Sequence, residues 1–158
     1  MRKNPLTVSL AACCAIVLSS SVVLAAENWL GTWKIDLAKS KYSPGPAPQS
    51  LTLKFEATPG GIKFTGDGVG ADGKATHSMF LSKFDGKDVP YEGNPDADTA
   101  SPKKIDDNSY DNTWKKGGKA TITANVAVSA DGKTMTITQT GTNAKGQAVD
   151  NAIVYNKQ

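Results

Sequence analysis

The chain has 158 residues, with 18 basic and 15 acidic side chains and a net charge of +3. Its sole arginine is Arg2, and its cysteines, Cys13 and Cys14, also lie near the N-terminus, so the rest of the chain has neither a guanidinium fork nor a thiol. Downstream of residue 14 that excludes disulfides, cysteine nucleophiles and thiolate metal sites.

In chain order, Met1-Arg2-Lys3-Asn4-Pro5 is a short basic segment, Leu6 to Leu24 is apolar and small, and Ala25-Ala26-Glu27 follows. That is the anatomy of a secretory signal peptide, with cleavage expected after Ala25 and Ala26 as the neighbouring alternative. A retained anchor is the competing reading, because about 19 apolar residues just reach across a bilayer. Leu10-Ala11-Ala12-Cys13 also has the form of a lipobox, in which Cys13 would be acylated. With 1–25 removed, residues 26–158 make one domain, expected to be periplasmic or secreted and to keep no membrane anchor. Loss of Arg2 and Lys3 leaves 16 basic against 15 acidic groups. A chain that close to neutrality has no electrostatic footprint for nucleic acid, and none is expected as a partner.

Past the leader the pattern is all-β. "DLAKSKY" (36–42) has room only for a turn or two of helix. "SLTLKFEAT" places Leu51, Leu53 and Phe55 on one face and Thr52, Lys54 and Glu56 on the other. "TPGG" (58–61) then turns the chain into a strand carrying Ile62 and Phe64. Asp-Gly recurs at Asp72-Gly73, Asp85-Gly86 and Asp131-Gly132, supplying the positive φ angles that tight hairpins need. "ATHSMFLSKF" reads as a strand with His77, Met79 and Leu81 on one side. The stretch from Glu92 to Asp107 is polar and holds two prolines, and is expected to be a loop with a short strand around Ala100 to Ile105. Beyond it Tyr110, Asn112 and Trp114 share a face, as do Ile122, Ala124, Val126 and Val128, and then Met135 and Ile137. The sum is nine or ten antiparallel strands joined by hairpins, a meander that closes into a small up-and-down barrel of about 8–10 strands or stays a curled sheet.

Gly31-Thr32-Trp33, opening the first strand of "NWLGTWKID", resembles the Gly-x-Trp signature of the lipocalins and the wider calycin group. "GTWKIDLAKSKYSPGP" is also similar to the N-termini of exported bacterial proteins of unknown function with lipocalin-like folds. The resemblance implies a lipocalin-like barrel with Gly31 and Trp33 at its closed end and any ligand in the calyx at the other. The family pattern packs an arginine of the last strand over that tryptophan; here Lys157 lies in the corresponding region. Trp29, four residues before Trp33, falls on the same side of an extended segment and is expected to cover the barrel's entry.

The chemistry-bearing residues are sparse. His77 is the chain's single histidine and has no thiol partner, so neither the usual metal site nor nucleophilic catalysis forms around it. Asn94, Asp96 and Asp98 have the spacing of a calcium loop's first ligands, but Thr99 and Ile105 stand where that loop needs glycine and glutamate. Gly66, Gly68 and Gly70 echo a phosphate-binding run with no helix after it, and are expected instead to let a strand bend. No metal, cofactor or catalytic residue is expected. Inward aromatic positions are core and cavity wall at once in a barrel, which makes Phe55, Phe64, His77, Met79, Trp114 and Tyr155 the candidate lining of a ligand cavity. The expected function is to bind or carry a small apolar molecule. The alternative is a non-catalytic envelope module or inhibitor acting through its outer surface and the 92–107 loop. An enzyme built on His77 and an aspartate is the third.

Overall fold

Alternating apolar and polar side chains, punctuated by glycine turns, form ten antiparallel strands in the computed structural model, which describes residues 27–158. The expected signal at 1–25, with Cys13, lies outside the described residues. The strands are β1 (Gly31–Ile35), β2 (Ser50–Thr58), β3 (Gly61–Val69), β4 (Ala75–Ser82), β5 (Val89–Pro90), β6 (Thr99–Lys104), β7 (Ser109–Lys116), β8 (Lys119–Val128), β9 (Thr134–Thr142) and β10 (Ala148–Lys157). Between β1 and β2 lies a short 3₁₀ turn, Leu37–Lys39, capped by the Asp36 carboxylate accepting from the Lys39 amide.

The sheet order is β4-β3-β2-β1-β10-β9-β8-β7-β6-β5, so every strand lies beside its chain neighbour except at one seam, and the first strand lies beside the last. Closure comes at the ends of that order. Met79 on β4 and Glu92, just past β5, exchange backbone hydrogen bonds of 3.0 and 2.9 Å. The fold is thus the expected all-β, antiparallel up-and-down barrel, with this bridge as its narrowest seam.

Burial follows the pleat. On β8 Ile122, Ala124, Val126 and Val128 point in and are buried, while Thr123 and Asn125 are exposed. Polar residues outside and apolar ones inside is the reverse of a membrane-spanning barrel, whose outer wall is apolar. Glycine permits the tightest approach of backbones: a Cβ on Gly68 of β3 would overlap the Ser50 carbonyl oxygen of β2. At Gly68 the glycine therefore serves close approach of two backbones within an unbroken ladder.

The end of the barrel carrying Trp33 is plugged. Trp33 is wholly buried and its indole Nε1 donates to the Trp29 carbonyl at 2.8 Å. Lys157, paired with Trp33 across β1 and β10, holds its Nζ 5.0 Å from the indole centroid. Trp29 does not cover the barrel's entry, as its position relative to Trp33 led one to expect. It sits wholly buried in the same plug, stacked on Phe84 at 5.9 Å and edge-on to Tyr110 at 5.3 Å. The reason is that residues 27–30 cross the barrel's end, where the Asn28 amide donates to the Asp107 carbonyl at 2.7 Å.

The short strand expected within the 92–107 stretch is β6, Thr99–Lys104, with Ala100 and Pro102 inside the barrel, and irregular backbone is confined to the residues on either side of it. One further expectation is corrected. On β4 the inward residues are Ser78, Phe80 and Ser82, so the Met79 and His77 side chains fall on the outer face. Phe80 decides that register: it stacks on Phe64 at 4.7 Å, directly across the ladder from it.

Candidate functional site

Three inward rows, traced strand to strand by their backbone pairing, build the interior from plug to mouth. Nearest the plug are Val128, Met135 and Tyr155. Next come Tyr110, Val126, Ile137 and Ile153. The third row is Asn112, Ala124, Gln139 and Asn151, in which Asn151 Nδ2 donates to Gln139 Oε1 at 2.9 Å. On the opposite wall, Gly66 faces Leu53 on one side and Ser78 on the other, and a Cβ there would press against Ser78 Oγ at 2.9 Å. Small residues at Gly66 and Ala124 leave the middle of the barrel empty, and the result is a cavity of about 340 Å³.

Its base is apolar, formed by Leu53, Phe64, Phe80, Val126, Ile137 and Ile153. Its upper wall is the amide row. The segment before β6 forms part of the rim through Asn94, Pro95 and Asp96. That segment is tied down: the Asp96 carboxylate accepts from the Ala144 amide at 2.8 Å, the Asp96 carbonyl accepts from Thr121 Oγ1 at 2.8 Å, and the Pro95 carbonyl accepts from Lys116 Nζ at 2.9 Å. Residues 94–96 are therefore cavity wall as well as surface.

All four tyrosines of the chain, Tyr42, Tyr91, Tyr110 and Tyr155, border the cavity. Burial pushes the Tyr42 phenol up to about 12. The same cause raises Tyr91, Tyr110 and Tyr155, so the wall carries neutral hydroxyls at any physiological pH. Among the described residues, two polar side-chain atoms of the wall are buried without a hydrogen-bond partner, Asn112 Oδ1 and Trp114 Nε1. Trp29 Nε1 is in the same state, but inside the plug.

Of the residues expected from the sequence, Phe64, Trp114 and Tyr155 contribute to the cavity wall. His77 borders the rim, but its imidazole is exposed and turned outward, with Nδ1 2.6 Å from Asp67 Oδ1 across the β3–β4 ladder. Met79 lies on the outer face beside the seam. Phe55 is buried beneath the cavity, between Phe64 at 5.2 Å and Tyr110 at 6.1 Å. The polar wall residues Asn112, Gln139 and Asn151 and the other three tyrosines were not expected there. The shared parity of Tyr110, Asn112 and Trp114 on β7 was their one visible signal.

Among the described residues no group of three or more His, Cys, Asp or Glu side chains is placed to hold a metal ion. No protein-family model matches the chain, and no curated protein matches it. Among solved structures, zebrafish ileal bile acid-binding protein complexed with cholic acid is similar at 11% identity and a TM-score of 0.48. The match covers 83% of this chain and 99% of that one. At that degree of overlap the likeness carries no functional information.

Proposed function

We propose that this protein is exported and binds a small, largely apolar molecule in its barrel, as a carrier or scavenger rather than an enzyme. The observation that carries the reading is the cavity of about 340 Å³ between an apolar base and a polar rim. Apolar ligands are driven into such a space by the water they shed, at about 0.8 kcal/mol per buried CH₂, and a few wall polar groups orient them. At about 30 Å³ for each water-sized group, the space suits a ligand on the order of ten non-hydrogen atoms. Export is supported by the basic, apolar and small-residue order of residues 1–25. A binding role is supported by the outward placement of His77, which leaves the cavity wall without an imidazole base.

The test is native mass spectrometry of protein recovered from its own host, run beside Ala124→Phe, which fills the middle of the barrel. The expected result is a co-purifying small molecule on the native chain that is absent from a folded Ala124→Phe. An equal load on both, or no load and no uptake of any added apolar probe, would sink the proposal.

A further inference from the structure

The chemistry of the cavity wall narrows the ligand class, on the reading that the barrel binds a ligand at all. Asn112 is 5% exposed, and its Oδ1 is an acceptor with no donor. Trp114, two residues along the same inward face of β7, has a buried indole N–H with no acceptor. Leaving a buried polar atom unpaired costs about 1–3 kcal/mol, and here two residues on one inward face each carry such an atom, screened just behind the wall of the empty space that both residues border. The amide row around them gives no relief, because Gln139 and Asn151 bond each other, and the residue beside Asn112 on β8 is Ala124.

A single hydroxyl is the complement of this pair. With turns of the two side chains that bring these atoms to the cavity surface, it donates to Asn112 Oδ1 and offers lone pairs to Trp114 Nε1. If the Asn112 carboxamide turns over, the same hydroxyl accepts from its N–H₂, so the match survives either orientation. Charge points the same way. Among the described residues no lysine or arginine borders the cavity, and the carboxylate at its rim, Asp96, is negative. An anionic headgroup entering here would give up its water without meeting a counter-ion, which is a heavy cost. The apolar base below the amide row would hold the remaining hydrocarbon.

We propose that the ligand is an uncharged alcohol or phenol of about ten non-hydrogen atoms, seated with its hydrocarbon on Phe64, Val126 and Ile137 and its hydroxyl on Asn112 and Trp114.

Isothermal titration at neutral pH with naphthalene, 1-naphthol and 1-naphthoate separates this from cavity binding in general, since the three share one apolar body. The expected order is 1-naphthol about tenfold or more tighter than naphthalene, as one or two recovered hydrogen bonds imply, with 1-naphthoate the weakest. Asn112→Leu, which keeps side-chain size, should abolish most of the naphthol advantage while leaving naphthalene affinity within about twofold. Trp114→Phe supplies the second arm should the leucine variant fail to fold by circular dichroism, and should cut the same advantage. Naphthalene binding with no gain from the hydroxyl, or 1-naphthoate binding as tightly as 1-naphthol, overturns the hydroxyl assignment and leaves the binding function standing. Failure of all three probes overturns both.

Discussion

At the scale of single residues, the Gly-x-Trp opening acquires a physical meaning. Gly31 has φ +113°, which a side chain rarely adopts, and a Cβ there would press on the Lys157 stem at 3.3 Å. That clearance lets Lys157 lie over the Trp33 indole and place its Nζ 3.3 Å from the Asn28 carbonyl. One ammonium thus reaches both the ring face and the plug backbone. Lys157→Met keeps the stem and removes the charge, and is expected to lower stability by about 0.5–1 kcal/mol, the worth of an exposed cation–π contact, in urea melts. Gly31→Ala is expected to cost more than about 1 kcal/mol in the same melts, since it adds backbone strain to the collision. The tyrosines make a pH prediction. Their folded-state phenols titrate above the ordinary value of 10.0, so the folded state holds protons that the unfolded chain gives up. Their contribution to stability is intact below pH 10 and is lost as pH rises toward about 12, the Tyr42 value. Ultraviolet difference absorbance should show tyrosine ionisation delayed above pH 10, with Tyr110 and Tyr155 ionising together with loss of far-ultraviolet β signal.

At the scale of elements, the barrel is uneven around its circumference. β8 and β9 pair over seven residues, from Ile122–Gly141 to Val128–Met135, whereas β4 meets the β5 side through the Met79–Glu92 bridge. Local opening starts where few backbone bonds must break. Amide exchange at Met79 and Glu92 is therefore expected to be about tenfold or more faster than at Val126 and Ile137, as read by hydrogen–deuterium exchange. Gly93 guards that seam: its φ is +71° and a Cβ would overlap the His77 carbonyl oxygen. Gly93→Ala should accelerate exchange at the seam while the β8–β9 amides keep their protection. The β4 strand also shows where sequence reading fails. It alternates cleanly, and both parities offered apolar side chains, Met79 and Leu81 against Phe80. Alternation alone cannot choose between two such faces. The choice was made by Phe64, a partner across the ladder on β3.

For the whole molecule, the balance is between a filled plug and an empty middle. The plug gathers Trp29, Trp33, Phe55 and Phe84 into one aromatic mass, and Phe55→Ala is expected to cost about 3–5 kcal/mol in thermal or urea unfolding. The empty middle gains nothing from packing until something enters it. An alcohol probe at a hundredfold excess over its Kd should therefore raise folding stability by about 2.7 kcal/mol, seen as a higher Tm, and the gain should vanish in Ala124→Phe.

Strand number, the turns at Asp72-Gly73 and Asp131-Gly132 and the inward faces of β2, β7, β8 and β9 were determined by the sequence itself, because period-two alternation and Asp-Gly turns are local properties of a few adjacent residues, whereas Asp85-Gly86, expected as a third hairpin, falls between β4 and β5 at the seam. The place of Trp33 at one end of the barrel was what the resemblance of its Gly-x-Trp opening implied. Only the tertiary structure decided that Trp29 belongs to the plug and that His77 and Met79 face outward. It also decided that the interior is hollow, with Asn112 and Trp114 left unpaired at its wall. Each of these depends on which side chains meet across the barrel, and residues far apart in the chain settle that only when the sheet closes.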